Sequence, residues 1–237
     1  MEKYFRQQID ESIAKSKIYG GPDRMPERAN ENAFEPQVYF LNTDSVSAIF
    51  ATKPLFQGKV AVLNFASYKN PGGMFMEGSS AQEEALCHKS FLYNVLRCFK
   101  SYYLWNNQHK NKALYLDRAI YTPDVMFVRN GEAVYCDVIT CAAPNFTAAH
   151  RYQGIDKNEN DKVMRSRICF VRDIAEEQKV DTLILGAYGC GVFGQDPETV
   201  AEMLAETFRK TSVNKIIYAV PGRDKNAIVF EKYFQKR

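Results

Sequence analysis

From residue 158 to the end of the chain, short apolar runs alternate with helical patterns, and this alternation limits the fold more than any other feature. The periodicity predicts a helix over about 158–178 and a strand from Asp181 to Leu185. A helix over 197–210, a strand from Lys215 to Val220 and a last helix from about Asp224 follow. Strands separated by helices pair in parallel through right-handed crossovers, and their sheet is covered on both faces.

The first two thirds supply the rest of the sheet. Val38-Tyr39-Phe40-Leu41 reads as a buried strand, and Asn42-Thr43-Asp44 as the cap of a following helix. Lys59 to Phe65 is the next strand, and residues 81–102 have the spacing of one long amphipathic helix. Residues 118–121, 125–128 and 133–139 are short apolar runs. Thr122-Pro123-Asp124 separates the first two, and the hairpin signal Asn130-Gly131 separates the last two. An antiparallel hairpin beside parallel strands makes the sheet mixed. At the N-terminus, residues 4–16 carry Phe5, Ile9, Ile13 and Ala14 at helical spacing until Gly20-Gly21-Pro22 breaks the pattern, and a polar stretch runs from Asp23 to Glu35.

With 237 residues, 46% hydrophobic and 25% charged, the chain suits one globular unit. No apolar run approaches the roughly 20 residues of a membrane span, and the polar start lacks a secretory core, so a cytoplasmic location is expected. A net charge of +3 does not indicate nucleic-acid binding. The six cysteines form no Cys-x-x-Cys and have no histidine at ligand spacing. Reduced thiols are expected, and no metal site. His88, His109 and His150 read as surface or packing residues. His88 and the adjacent Cys87 point apart on a helix and form no nucleophile–base pair.

Three constellations are suited to chemistry. Asn70-Pro71-Gly72-Gly73-Met74 follows a strand and leads through Phe75–Ala81 to Gln82-Glu83-Glu84, joining a glycine loop to adjacent carboxylates at a helix start. Ser80-x-x-Glu83 matches a capping box, which leaves Glu84 pointing elsewhere, although acids also favour the first turn for dipole reasons. Gly189-Cys190-Gly191-Val192-Phe193-Gly194 follows another strand. Its Gly-x-Gly-x-x-Gly spacing imitates a dinucleotide fingerprint, but only one further strand remains after it, so an anion-cradling loop is the better reading. Tyr188 and Phe193 offer aromatic faces there, or belong to the core. Asp137 to Asn145 ends a strand in small residues, suited equally to a ligand or to a tight turn.

Together these segments resemble the bacterial-type poly(ADP-ribose) glycohydrolases of the macrodomain superfamily, whose mark is a Gly-Gly-Gly loop, a spacer and Gln-Glu-Glu. Residues 62–67, 118–125, 137–140 and 186–193 carry the same likeness, which extends over most of Val38 to Phe230. The resemblance implies an α/β, macrodomain-like three-layer fold with a mixed central sheet between helices over 36–237, preceded by an N-terminal helical extension over 1–35. It implies hydrolysis of ribose–ribose bonds with Glu84 as the catalytic acid and Glu83 and Gln82 orienting the distal ribose. Asn70 would contact that ribose, Gly72 and Gly73 with Gly189, Cys190, Gly191, Val192 and Phe193 would embrace the diphosphate, and Phe193 would stack beside the ribose. No cofactor is implied. The ligand is ADP-ribose or poly(ADP-ribose), free or on modified protein. Met74 replaces the third glycine, where a positive φ would strain its side chain. The alternatives are an ADP-ribose reader without activity, a hydrolase of single ADP-ribose units on protein or nucleic acid, and, more remotely, a nicotinamide-dependent oxidoreductase.

Overall fold

The computed structural model describes residues 5–27, 33–53, 55 and 57–235. Its strands are β1 (Lys17–Gly20), β2 (Gln37–Leu41), β3 (Val60–Phe65), β4 (Arg118–Arg129), β5 (Glu132–Cys141), β6 (Thr182–Leu185) and β7 (Lys215–Ala219). Its α-helices are α1 (Arg6–Lys15), α2 (Ser45–Thr52), α3 (Gln82–His88), α4 (Leu92–Leu96), α5 (Lys100–Gln108), α6 (Phe146–Gln153), α7 (Lys157–Glu177), α8 (Pro197–Thr207) and α9 (Lys225–Phe234). The strands form one mixed sheet in the order β1-β4-β5-β3-β6-β7-β2. β1–β4 and β4–β5 are antiparallel, and every pair from β5 to β2 is parallel.

Alternation along the strands divides the core in two. Ala61 and Leu63 of β3 pack with Ile168 and Ile174 of α7, Leu204 of α8 and Phe230 of α9. Val60 and Val62 face the other way, against Ile49 of α2, Leu86 of α3, Val95 of α4 and Tyr103 of α5. The result is a helix–sheet–helix sandwich, as expected. Because five adjacent strands run the same way, the loops after β2, β3, β5, β6 and β7 leave from one edge of the sheet. Ligands of open α/β sheets bind at that edge. No helix among the described residues is long and apolar enough to cross a membrane.

Several local expectations are corrected. The N-terminal segment holds helix α1, but also β1, which pairs with β4 as an edge strand, so the extension expected over 1–35 is partly built into the sheet. Residues 1–4 and 28–32, which that extension also included, lie outside the described residues. The two strands expected around Pro123 are one strand, β4, with a bulge between Thr122 and Val125. Asp124 takes φ +55° there, and its N–H donates to Asp137 Oδ1 at 2.9 Å, which replaces the interrupted ladder. Helix α6 was unforeseen; Asn145 caps it by accepting from the Ala148 N–H at 3.0 Å.

The single helix expected over 81–102 is broken into α3, α4 and the start of α5. Between α3 and α4, Lys89 O accepts the Val128 N–H at 2.7 Å and Ser90 bridges to Phe127, so this stretch pairs with the sheet instead of continuing the helix. The Ser90 hydroxyl donates to Leu86 O at 2.7 Å and accepts the Leu92 N–H at 3.0 Å, satisfying groups that the break exposes. Ser90→Ala leaves the Leu92 donor buried and unpaired. Urea unfolding should show a loss of about 1–3 kcal/mol, and an unchanged midpoint would refute this account of the break.

Candidate active site

The site begins where β3 leaves the sheet. Two consecutive side chains at the start of α3 grip the backbone there. Gln82 Oε1 accepts the Phe65 N–H at 2.8 Å, while its Nε2 donates to Leu63 O at 2.9 Å and to Ser45 Oγ at 3.0 Å. Glu83 Oε2 accepts the Ser67 N–H at 2.6 Å, and its Oε1 accepts from Asn64 Nδ2 at 3.2 Å. Glu83 therefore does not close a capping box. The cap position is Ala81, with no side-chain bond, and Ser80 is exposed. The strand-end N–H groups offered Glu83 better donors than the cap.

Glu83 is 3% exposed and Glu84 6%. Burial pushes the Glu83 carboxyl up to about 8. The Ser67 and Asn64 hydrogen bonds pull it down, and the neighbouring Glu84 charge adds to the rise. The Glu84 side chain has two different oxygens. Oε1 accepts the Met74 N–H at 2.9 Å, whereas Oε2 is buried with no partner among the described residues.

The glycine loop is shaped by these carboxylates. Gly73 has φ +61°, and a Cβ there would lie 2.5 Å from Glu84 Oε1 and 3.0 Å from Glu83 Oε2. Gly72, at φ +69°, would press a Cβ to 2.8 Å from the Tyr93 ring. Met74 has φ −107°, so the strain expected from a side chain at the third loop position does not arise; its side chain is 57% exposed.

A cavity of about 530 Å³ lies over this loop. Of the residues expected at the site, Asn70, Gly73, Met74, Gln82, Glu83, Glu84, Gly189, Gly191, Val192 and Phe193 line it. Gly72 is buried beneath the loop. The Cys190 side chain packs against the core and its N–H donates to Ala187 O, so Cys190 does not line the cavity. The second loop is held from behind. A Cβ on Gly189, at φ +77°, would meet Gln195 Cγ at 2.8 Å and Ala143 Cβ at 2.9 Å. The N–H groups of Gly191, Val192 and Phe193 donate to no described residue, which leaves three consecutive donors at the cavity wall for an anion.

Sequence reasoning missed the opposite wall. Tyr68 and Tyr115 stack with centroids 4.2 Å apart, and Phe193 meets Tyr115 edge-on at 6.1 Å. Both tyrosines line the cavity, as does Asn145. The buried Arg167 holds this side. Its Nε donates to Asp117 Oδ1 at 2.6 Å and its Nη1 to Ala142 O. Tyr188 is core-packed, and its hydroxyl donates to Cys141 O at 2.9 Å. No sequence pattern marked Tyr68 or Tyr115, because neither belongs to a glycine or acidic motif. Asn145 ended the small-residue run, where a turn explained it equally well. None of the three histidines lines the cavity; His88 packs on Phe75 and His109 on Trp105. Among the described residues no group of three His, Cys, Asp or Glu side chains is placed to hold a metal ion.

Comparison with known proteins decides the family. The family model for the microbial-type PARG catalytic domain matches residues 2–130, over half of the chain. The chain belongs to the microbial-type PARG family. Among similar solved structures is poly(ADP-ribose) glycohydrolase from Thermomonospora curvata. It is 27% identical, with a TM-score of 0.84, and the match covers 96% of this chain and 89% of that one. The same enzyme bound to the inhibitor ADP-HPD is 26% identical over 96% and 88% of the two chains, with a TM-score of 0.82. The enzyme from Deinococcus radiodurans in complex with ADP-ribose is 28% identical over 95% of this chain and 96% of that one, also at 0.82. A search of curated proteins finds no match. The fold is thus that of the PARG enzymes, and macrodomain-like.

Two consequences are measurable. A Glu83 carboxyl raised to about 8 in the folded state, against 4.5 unfolded, favours folding fully below the lower value and loses that contribution as pH rises through the upper one. Glu83→Gln removes this dependence. The melting temperature of the variant minus that of the parent should therefore climb between those limits, and a flat or falling difference contradicts the buried-carboxyl account. Gly73→Ala costs about 1–2 kcal/mol for its left-handed backbone and displaces the Glu84 carboxylate. Stability by denaturant titration should fall by about that amount, and an unchanged midpoint would refute this account of the loop.

Proposed function

We propose that the protein hydrolyses the ribose–ribose O-glycosidic bonds of poly(ADP-ribose), releasing ADP-ribose, with Glu84 as general acid and base. The observation that carries this reading is the Glu84 carboxyl: Oε1 is fixed by the Met74 N–H, while Oε2 is buried in the cavity wall without a partner among the described residues. A buried acceptor left unpaired costs about 1–3 kcal/mol, and a ligand group that bonds to it recovers that cost.

The chemistry follows from this placement. In its acid form Glu84 donates a proton to the glycosidic oxygen as the C–O bond to the distal ribose breaks, leaving oxocarbenium character on that ribose and a free hydroxyl on the departing unit. The resulting carboxylate takes a proton from water as the water oxygen bonds to the anomeric carbon. Glu84 is thereby returned to its acid form. A diphosphate held at the N–H groups of Gly191, Val192 and Phe193 offsets the developing positive charge. Gln82 and Glu83 act by fixing β3 and the first loop, since their oxygens are bonded to Phe65, Ser67 and Asn64. In this reading Asn70 and Phe193, which both line the cavity, contact the distal ribose.

A neighbouring cavity of about 250 Å³ shares Phe65, Gln82, Ala187 and Asn226 with the main one, so together they suit an elongated ligand such as ADP-ribose. The polymer, free or attached to a modified protein, is the proposed substrate. The cytoplasm is the proposed location, which the free thiols of the six cysteines support. The negative φ at Met74 removes the main structural argument for a reader without activity.

Glu84→Gln should lower kcat for ADP-ribose release from polymer by at least about a hundredfold, with ADP-ribose binding retained. Release at the parent rate overturns the assignment. ADP-ribose binding by the parent protein without release from polymer or from singly modified protein would mark a reader instead.

A further inference from the structure

The Tyr68–Tyr115 wall of the cavity carries an exposed basic rim that the chemistry above does not use. Lys69 follows Tyr68 directly and lines the cavity; its carbonyl accepts from Asn107 Nδ2 at 3.2 Å, at the C-terminal end of α5. Beyond that helix the chain turns through Lys110 and Lys112 into Tyr115. The Tyr115 N–H donates to Lys110 O at 3.1 Å, and the Tyr68 hydroxyl donates to His109 O at 3.1 Å. One tyrosine pair thus ties both lysine-bearing segments to the same end of the cavity. Lys69, Lys110 and Lys112 are all exposed, and none forms an ion pair with a described residue.

Two further observations set this rim apart from ordinary surface lysines. First, the flanking segments hold no carboxylate: residues 66–76 and 101–116 contain neither Asp nor Glu, in a chain whose net charge is only +3. Second, the turn is built from unfavourable backbone. Asn111, Lys112, Ala113 and Tyr115 have φ of +43°, +52°, +68° and +61°, held in part by the Asn111 Nδ2 donation to Tyr115 O at 3.1 Å. Left-handed conformations are unfavourable for residues that carry a Cβ.

We propose that Lys69, Lys110 and Lys112 bind the diphosphate of the ADP-ribose unit on the departing side of the scissile bond. This inference rests on the polymer reading of the cavity. One unit fills the pocket, and the rest of the chain must leave it as a flexible polyanion bearing a diphosphate in every unit. Exposed cations bind such a chain weakly, one by one, and in a salt-dependent way. The rim therefore confers preference for polymer over free ADP-ribose without touching the reacting bond.

The test uses the full chain carrying Glu84→Gln, so that polymer survives the measurement, and compares the affinity of purified poly(ADP-ribose) with that of free ADP-ribose. Adding Lys110→Ala with Lys112→Ala should weaken polymer binding several-fold at low salt and leave ADP-ribose affinity and melting temperature unchanged. The slope of log affinity against log salt should fall, and by about 1.4 in all when Lys69→Ala is added, roughly 0.7 for each of the two phosphates that are no longer neutralised. Lys110→Gln with Lys112→Gln, which preserves the polar stems, should behave as the alanine pair. Unchanged polymer affinity and slope in these variants overturn the proposal. So does equal, lysine-dependent binding of a single-stranded RNA with the same number of phosphates, which would mark a general polyanion surface. If the parent protein releases nothing from polymer while the lysines still govern polymer binding, the hydrolytic reading fails and the rim stands. If it releases ADP-ribose and the lysines prove irrelevant, only the rim fails.

Discussion

The structure turns on the grip that the first turn of α3 takes on the end of β3. A strand leaving a sheet exposes N–H groups that the ladder no longer satisfies, and Gln82 and Glu83 accept two of them, from Phe65 and Ser67. Gln82 also reaches Ser45, so α2, α3 and the central strand are joined through one amide. Such bonds contribute about 1 kcal/mol each, more where the acceptor is charged. Their larger effect is geometric. They fix the helix so that Glu84, the next residue, lies at the cavity while its neighbour stays in the framework.

That grip explains the glycines as well. Gly72 and Gly73 are usually read as room for a ligand's phosphate, but the tightest constraint at Gly73 is the pair of carboxylates behind it. The loop must pass close over two acids and still offer the Met74 N–H to one of them. Only a residue without Cβ, at positive φ, lets it do so. The second loop meets the same demand from Ala143 and Gln195. In each loop glycine permits close packing from behind; the first loop spends its N–H groups on Asn70, Glu84 and Gly72, and only the second leaves consecutive N–H groups open at the cavity.

Most of the fold was legible where local pattern and tertiary role agreed. The strands and helices after residue 157 fall close to their expected bounds, and Asn130-Gly131 makes the hairpin turn with φ of +52° and +83°. The sequence misled where distant residues overruled local preference. Nothing near Ser90 says that Val128 will donate to Lys89 O, yet that bond ends a helix which periodicity would continue. Likewise Ser80 and Glu83 have capping-box spacing, but the box assumes that the helix itself offers the best donors. Here the end of β3 offers better ones. For the site, the loops and the acids were visible because their chemistry is tied to short motifs. Tyr68, Tyr115 and Arg167 were not, since a core aromatic and a buried guanidinium carry no signal until the chain brings them to one wall.

A division of labour follows for the cavity. Its acid end is over-determined: Glu83 and Glu84 are buried, and Gln82 is bonded on both its amide oxygen and nitrogen. Burying charged or acidic groups costs stability unless hydrogen bonds compensate; among the described residues both Glu83 oxygens are bonded, whereas Glu84 Oε2, at the cavity, and Asn64 Oδ1 are not. The opposite wall is anchored differently, by the Arg167–Asp117 pair and by stacked rings that need no exact donor geometry. Between them the loop tips carry Met74 and Val192, 57% and 88% exposed, with little to hold their side chains in place. Precision is thus concentrated at the acid end of the cavity, and the exposed loop tips over it are left with few packing constraints.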